Sequence, residues 1–214
     1  KELRSVFRWI VWLALPIAVI TFFARGYVVA FIKNGGQPAI ASVLGALVIS
    51  IFFRTLYHIM ARTFYAQQDT RTPLYISIAT ISLNIVLAII FTQLFGWGVF
   101  GLAWAQSIVS VVEIAILLTI LHVRTPGIFN RKTLRSIITM MIASAIMGVV
   151  TYFVVQMLQL QSRDMNFMAV FPKFTVIVVV SFAVYIALSK VFNLEEADPI
   201  VAKLRQLLFG RVRR

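Results

Sequence analysis

The sequence predicts an all-α integral membrane protein with six transmembrane helices. Hydrophobic residues make up 61% of the 214 residues and charged residues only 13%, and the mean hydropathy is +0.94. Long apolar segments recur along the chain between short polar stretches, and most of them reach the length of about 20 residues that crosses a bilayer. This composition lies outside the range of soluble globular domains, so the chain belongs to the membrane class.

The first half of the chain contains three predicted spans, at residues 6–24, 39–65 and 74–95. Trp9 suits the interfacial aromatic belt, and Pro16 is expected to kink the first span. Residues 27–32 are expected to form a short interfacial turn that the polar segment 33–38 closes.

The second half contains three further spans, at residues 99–123, 134–160 and 171–192, with a basic loop at 124–132 and a polar connection at 161–170. The chain is therefore divided into a six-helix bundle over residues 1–192 and a basic amphipathic tail over residues 193–214. The tail is expected to lie on anionic lipid as an interfacial helix, or to remain a solvated end. Lys1 is not an initiator methionine, which indicates a fragment of a longer protein.

The net charge of +13 raises the question of nucleic-acid binding. The lysines and arginines lie almost entirely at the ends of apolar segments, where headgroups and the positive-inside rule explain them. No soluble basic domain remains, so no nucleic-acid partner is expected. Most of the positive charge falls on the face that carries both ends of the chain, which predicts that both termini are cytoplasmic.

The polar segment 61–73 separates the second and third spans. Asp69-Thr70-Arg71-Thr72-Pro73 is expected to form a tight loop at the membrane surface, with Pro73 in the first turn of the next helix. A side-chain oxygen from Asp69, Thr70 or Thr72 is expected to cap that helix. Asp69 and Arg71 form either a salt-bridged latch on the cytoplasmic side or a rigid helix-to-helix turn.

The motif Arg62-Thr63-Phe64-Tyr65-Ala66 precedes this loop, and the two motifs together resemble the signature of the MurJ/MviN lipid II flippases. This family belongs to the MOP exporter superfamily. The resemblance runs over residues 1–192 and corresponds to the later part of a fourteen-helix, two-lobe transporter. It implies a multi-pass protein of the bacterial inner membrane whose N-terminal helices lie outside this sequence.

The resemblance also implies a function: translocation of lipid II, the undecaprenyl-diphosphate-linked peptidoglycan precursor, from the inner to the outer leaflet by alternating access. The expected partners are this anionic lipid-linked substrate and membrane lipids. No cofactor is expected, although coupling to an ion or to the membrane potential is possible. Alternatives are export of another lipid-linked oligosaccharide, export of an organic cation, or a non-transporting membrane scaffold.

Arg54, His58 and Arg62 recur at i, i+4 and i+8, so they form one stripe along the second span. Charges in a span are expensive in lipid, which favours a face toward other helices, a wet cavity or the interface. In the functional interpretation the stripe is a cationic wall that binds a diphosphate. In the alternative, Arg62 snorkels to the cytoplasmic face, and neighbouring helices satisfy Arg54 and His58.

Glu113 is the single acidic residue within a predicted span. It is interpreted either as a coupling residue that binds a proton or cation, or as a residue that lines the substrate cavity or serves a structural role, satisfied by a salt bridge with Arg54 or by protonation. Ser77, Thr80 and Asn84 form a stripe on the third span. The resemblance implies a sodium site when an acidic residue follows this asparagine by one turn, but Ala88 stands there, which favours ordinary interhelical hydrogen bonding.

The sequence shows no enzyme signature, because it has no nucleophile–base pair, no phosphate-binding glycine loop and no metal-ligand spacing. The chain has no cysteine, which excludes disulfides and thiolate metal sites. The resemblance implies that the last two spans line a hydrophobic groove for the polyprenyl tail. Their apolar sequences suit plain lipid contact equally well.

Overall fold

The computed structural model describes residues 2–32, 37–124, 131–158 and 167–198, and this part of the chain is helical throughout apart from its connections. The helices are α1 (Glu2–Phe23), α2 (Arg25–Ile32), α3 (Pro38–Ala66), α4 (Arg71–Ile89), α5 (Gly98–Arg124), α6 (Arg131–Met157) and α7 (Phe167–Val191), with a π-helical turn (Ile90–Leu94) after α4. All except α2 are long and apolar enough to cross a membrane. The six predicted spans are confirmed.

The segment predicted as an interfacial turn is the short helix α2, so that prediction is wrong. The carbonyl of Ala24 accepts hydrogen bonds from the backbone N–H groups of Tyr27 (2.9 Å) and Val28 (3.2 Å), which continues helical pairing beyond α1. Tyr27 and Ala30 are three residues apart and both are buried. One face of α2 therefore packs between α3 and α7, and this burial stabilises a helix that is too short to be stable alone.

Two helix boundaries also differ from the predictions. α6 begins at Arg131, inside the predicted basic loop, and α7 begins at Phe167, inside the predicted polar connection. Arg131, Lys132 and Thr133 extend α6 beyond its apolar run, because the first turn at a membrane surface tolerates exposed charge. The residues that extend α7, Phe167–Val170, are themselves apolar and continue its apolar run. The remainder of both connections, and the tail from residue 199 onward, lie outside the described residues.

The helices form two groups that meet at α3. The hairpin group comprises α3, α4, the π turn and α5, while the terminal group comprises α1, α2, α6 and α7. α1 and α2 pack against α3 and thereby join the groups. Apolar grooves of about 470 Å³ and about 210 Å³ flank the α1–α3 contact.

The terminal group encloses its polar side chains. The indole N–H of Trp12 donates to Ser189 Oγ at 3.1 Å, and Thr151 Oγ1 donates to Ser181 Oγ at 2.8 Å. All four residues are buried. Beyond α7, Glu195 and Glu196 fold back onto Arg8 with ion-pair distances of 3.2 Å and 2.5 Å. The first residues of the predicted tail therefore pack against the bundle.

The connection between α4 and α5 is a tight aromatic turn. Gly96 and Gly98 adopt positive φ values of 66° and 54°, a conformation that glycine allows without strain. Phe91, Phe95 and Trp97 stack with ring-centroid separations of 5.4–5.8 Å. This aromatic cluster lies at the end of the α4–α5 hairpin opposite to the Asp69 loop.

Candidate functional site

Asp69 caps α4. Its Oδ1 accepts hydrogen bonds from the backbone N–H groups of Arg71 (3.1 Å) and Thr72 (3.0 Å), and its Oδ2 accepts one from the Thr72 hydroxyl at 2.6 Å. These bonds satisfy N–H groups that the first turn of a helix leaves without partners. The predicted cap is confirmed and assigned to Asp69, with Pro73 buried in the first turn of α4.

The ion pair of Asp69 is formed with Arg124, the last residue of α5, and not with Arg71. Arg71 occupies the first position of α4, where it is exposed, whereas the end of α5 lies beside the start of α4. Arg124 also donates to Thr72 Oγ1 at 3.0 Å. Hydrogen bonds from Thr72 and then from Arg124 hold the pKa of Asp69 well below its usual range.

The predicted cationic stripe lies on one exposed face of α3. Arg54, His58 and Arg62 are all exposed, while Leu56, Met60 and Phe64 are buried on other faces of the helix. The i, i+4, i+8 spacing therefore gives the common face that the sequence predicts. In the described part of the chain all three side chains stay exposed, although a side chain of α5 contacts Arg54.

Arg54 is held by a side chain of α5 that the sequence did not assign to the site. One end of the Gln106 amide lies 2.9 Å from Arg54 Nε and 2.5 Å from Nη2. The other end lies 2.6 Å from the side-chain amide of Asn84 on α4. Arg54, Gln106 and Asn84 thus form a polar relay across three helices, and Gln106 and Asn84 are only partly exposed.

Glu113 is buried between α4 and α5, with 8% of its surface exposed. Its Oε1 accepts hydrogen bonds from Thr80 Oγ1 at 3.2 Å and from Ser77 Oγ at 3.4 Å. Ser77 is in turn hydrogen-bonded to Tyr57 of α3 at 2.7 Å. Glu113 makes no ion pair with Arg54, so the predicted structural salt bridge between them is wrong: Arg54 turns to Gln106 instead.

The predicted stripe of Ser77, Thr80 and Asn84 faces α5 and supplies interhelical hydrogen bonds, as one of the two interpretations expected. Among the described residues there is no group of three histidine or acidic side chains that would hold a metal ion. The sequence reasoning missed Gln106 and Tyr57. Gln106 lies one turn before Ser110 and two turns before Glu113 on the same face of α5. This shared face is the pattern that indicates its place in the site.

Comparisons with known proteins agree with one another. The family model described as "Lipid II flippase MurJ" matches residues 1–171. A protein of Vibrio cholerae serotype O1 named "Probable lipid II flippase MurJ" is 28% identical over 135 residues, which are 63% of this chain and 24% of that protein. A protein of Thermotoga maritima with the same name is 28% identical over 163 residues, or 76% of this chain and 30% of that protein.

A solved structure titled "Lipid II flippase MurJ, inward closed conformation" shares the fold, with a TM-score of 0.71 and 21% sequence identity. The match covers 89% of this chain and 38% of that chain. This chain therefore spans about a quarter to a third of the curated relatives that it matches.

Within the described residues, six long apolar helices, three of them joined by the polar relay, define a multi-pass helical membrane protein. The family match extends over most of the chain and includes both motifs of the Asp69 region. The chain belongs to the lipid II flippase MurJ family.

Proposed function

We propose that this chain is part of a flippase that moves lipid II from the inner to the outer leaflet of the bacterial inner membrane by alternating access. The family match and the names of the relatives support this proposal. The observation that carries it is the exposed guanidinium of Arg54 on a long apolar helix. An arginine that faced acyl chains would cost several kcal/mol, roughly 3 kcal/mol or more near the bilayer centre.

Arg54, His58 and Arg62 accordingly form the wall of a water-filled cavity. Arginine provides planar pairs of N–H donors that match two oxygens of a phosphate, so Arg54 is suited to the diphosphate of the lipid-linked substrate. The polyprenyl tail stays in lipid, where no charged group contacts it. The remaining helices of the full-length protein complete the cavity.

This function requires no covalent chemistry, so the protein is a transporter and not an enzyme. Both ends of the chain lie on the cytoplasmic side, as the distribution of lysine and arginine indicates. A positive stripe disfavours export of an organic cation, because like charges repel. Another anionic lipid-linked oligosaccharide fits the same stripe, and the choice of cargo rests on the family.

Glu113 is proposed to couple transport to the binding of a proton or cation. It is a buried carboxylate that accepts hydrogen bonds from the neutral hydroxyls of Ser77 and Thr80. Glu113→Gln keeps the volume and the hydrogen-bond acceptor but removes the ionisable group. A folded Glu113→Gln variant should lose ion- or proton-dependent transport, and unchanged dependence on both would exclude the coupling role.

The proposed function is tested with Arg54→Ala and Arg54→Lys in the full-length protein. The measurements are growth rescue of flippase-depleted cells and translocation of lipid II in reconstituted vesicles. Arg54→Ala should abolish rescue, while Arg54→Lys should retain a fraction, because lysine keeps the charge but not the planar pair of donors. Thr55→Ala, at the next exposed position, is the matched control.

Full rescue by Arg54→Ala would remove Arg54 from the substrate site and leave the family assignment intact. Translocation of a different lipid-linked glycan, with no translocation of lipid II, would show that this glycan is the cargo instead of lipid II.

A further inference from the structure

We propose that Gln106 is a positioning residue for Arg54: its amide oxygen holds one edge of the guanidinium and leaves the other edge free for two oxygens of a phosphate. This inference rests on the proposed function, in which Arg54 binds the diphosphate. It adds to the site a neutral side chain that belongs to a different helix.

The chemistry of the side chains determines how the Gln106 amide is oriented. A guanidinium carries only donors, so the atom of Gln106 that faces Arg54 has to be the amide oxygen. That oxygen lies 2.9 Å from Nε and 2.5 Å from Nη2. The amide nitrogen of Gln106 then faces the side-chain amide of Asn84 at 2.6 Å. Two amide nitrogens cannot bond to each other, so the Asn84 amide has to present its oxygen here and accept from Gln106.

The arrangement fixes the direction in which Arg54 presents its remaining donors. Gln106 occupies the Nε–Nη2 edge, and the N–H groups of the Nη1–Nη2 edge stay available. A pair of parallel donors on this edge matches two oxygens of a phosphate. An unrestrained arginine would lose side-chain conformational entropy on binding. Because Gln106 and Asn84 already restrain the guanidinium in the unbound protein, ligand binding costs less side-chain entropy.

The neutrality of Gln106 is as important as its position. A carboxylate at the same place would also orient Arg54, but it would neutralise the charge that attracts an anion. An amide orients the guanidinium and leaves its charge in place. Glu113, the buried acidic residue of the same helix, is bound by Ser77 and Thr80 instead and makes no ion pair with Arg54. The cationic edge of Arg54 is therefore kept for a ligand.

The experiment measures binding of farnesyl diphosphate and of farnesol to the purified full-length protein, together with its thermal unfolding midpoint. Gln106→Met keeps the length of the side chain and removes the oxygen, and Gln106→Glu keeps the shape and adds a negative charge. Gln93→Glu is the matched control, because Gln93 is exposed on the same hairpin. Arg54→Ala reports on the proposed function itself.

We expect Gln106→Met to raise the Kd for farnesyl diphosphate about tenfold, the scale of one charge-assisted hydrogen bond. Gln106→Glu should raise it further, while the Kd for farnesol and the unfolding midpoint stay unchanged. Gln93→Glu should behave as the wild type. The loss of preference for the diphosphate over the alcohol is the signature that a merely structural role of Gln106 would not produce.

Two outcomes overturn the inference in distinguishable ways. If Arg54→Ala weakens diphosphate binding but neither Gln106 variant does, Gln106 does not position Arg54 and the proposed function stands. If Arg54→Ala binds farnesyl diphosphate as the wild type does, the proposed substrate site and the role of Gln106 fail together.

Discussion

The terminal group and the hairpin group both contain closed pairs of buried polar side chains, Ser50 with Ser110 at 2.9 Å in the hairpin group, but the hairpin group also contains a relay that ends at an exposed cation. In the terminal group, Thr151 pairs with Ser181 and Trp12 with Ser189, and all of these side chains are sealed from the surface. In the hairpin group, the relay that starts at Asn84 ends at the exposed Arg54.

This difference separates structural polar groups from candidate functional ones. A closed pair satisfies both partners and has no remaining capacity to bind a ligand, so its contribution is to stability. A relay that ends at an exposed cation leaves donors available. The two cases differ in whether the last side chain of the hydrogen-bonded series is buried, and not in whether the series is polar.

Trp12→Ala should give the largest loss of stability. Trp12 has 1% of its surface exposed and packs against Tyr185 with a ring-centroid separation of 5.4 Å. Truncation leaves a cavity in the terminal group, which costs about 3–5 kcal/mol. The thermal unfolding midpoint should fall strongly, whereas diphosphate binding per folded molecule should not change. Trp97→Ala, which removes a half-exposed tryptophan, is the control and should unfold close to the wild type.

Gly101→Ala should have the next largest effect. A Cβ at Gly101 would lie 2.9 Å from Phe91 Cβ and 3.0 Å from the Phe91 carbonyl atoms, so the backbone of the π turn has to move. Overpacking of this kind costs about 1–3 kcal/mol, which is measurable by thermal unfolding. At Gly45 the added Cβ meets only the flexible side chain of Arg25. Equal midpoints for Gly101→Ala and Gly45→Ala would contradict the expected rigidity of the aromatic turn.

The double variant Thr151→Val with Ser181→Ala should have a small effect. It removes the closed hydrogen bond between α6 and α7, and interhelical bonds of this type contribute about 0.6 kcal/mol on average. We expect a slightly lower unfolding midpoint and unchanged lipid II translocation. Thr119→Val, at an exposed threonine that bonds only within its own helix, is the control. A loss of translocation without a loss of stability would show that the Thr151–Ser181 pair also contributes to function.

Asp69→Asn should lower the unfolding midpoint at neutral pH, and this effect should depend on pH. Because the pKa of Asp69 is lowered in the folded protein from its ordinary value of 3.8, its ionised form stabilises the fold. This contribution is complete above pH 3.8 and is lost as the pH falls below that value. The unfolding midpoints of the wild type and Asp69→Asn should therefore differ at pH 7 and converge below pH 3.8. Asp198→Asn, which removes the charge of an exposed aspartate, is the matched control.

Local pattern explains the parts of the fold that the sequence predicted. Apolar runs specified the six spans because a bilayer requires internally hydrogen-bonded helices of a certain length. The face shared by Arg54, His58 and Arg62 followed from the helical period alone. The partners Gln106 and Arg124 could not be predicted in this way, because each contact joins residues more than 50 positions apart. Such contacts depend on how one helix is rotated against another, and no local pattern contains that angle. The short helix α2 was missed because its stability comes from burial against α3 and α7.

The α4–α5 hairpin is marked at its two ends by different chemistry, the ion pair of Asp69 and Arg124 at one end and the aromatic cluster of Phe91, Phe95 and Trp97 at the other. The span Arg71–Leu94 begins beside the ion pair and runs into the aromatic cluster, and its 24 residues correspond to a length of about 36 Å at about 1.5 Å per residue. That length exceeds the hydrocarbon core of a bilayer, about 30 Å, by a few ångströms, so the ends of the span reach the headgroup region. A hairpin of this length that spans the bilayer places Arg54, about 18 Å along α3 from the Asp69 loop, at about half of the hairpin's depth.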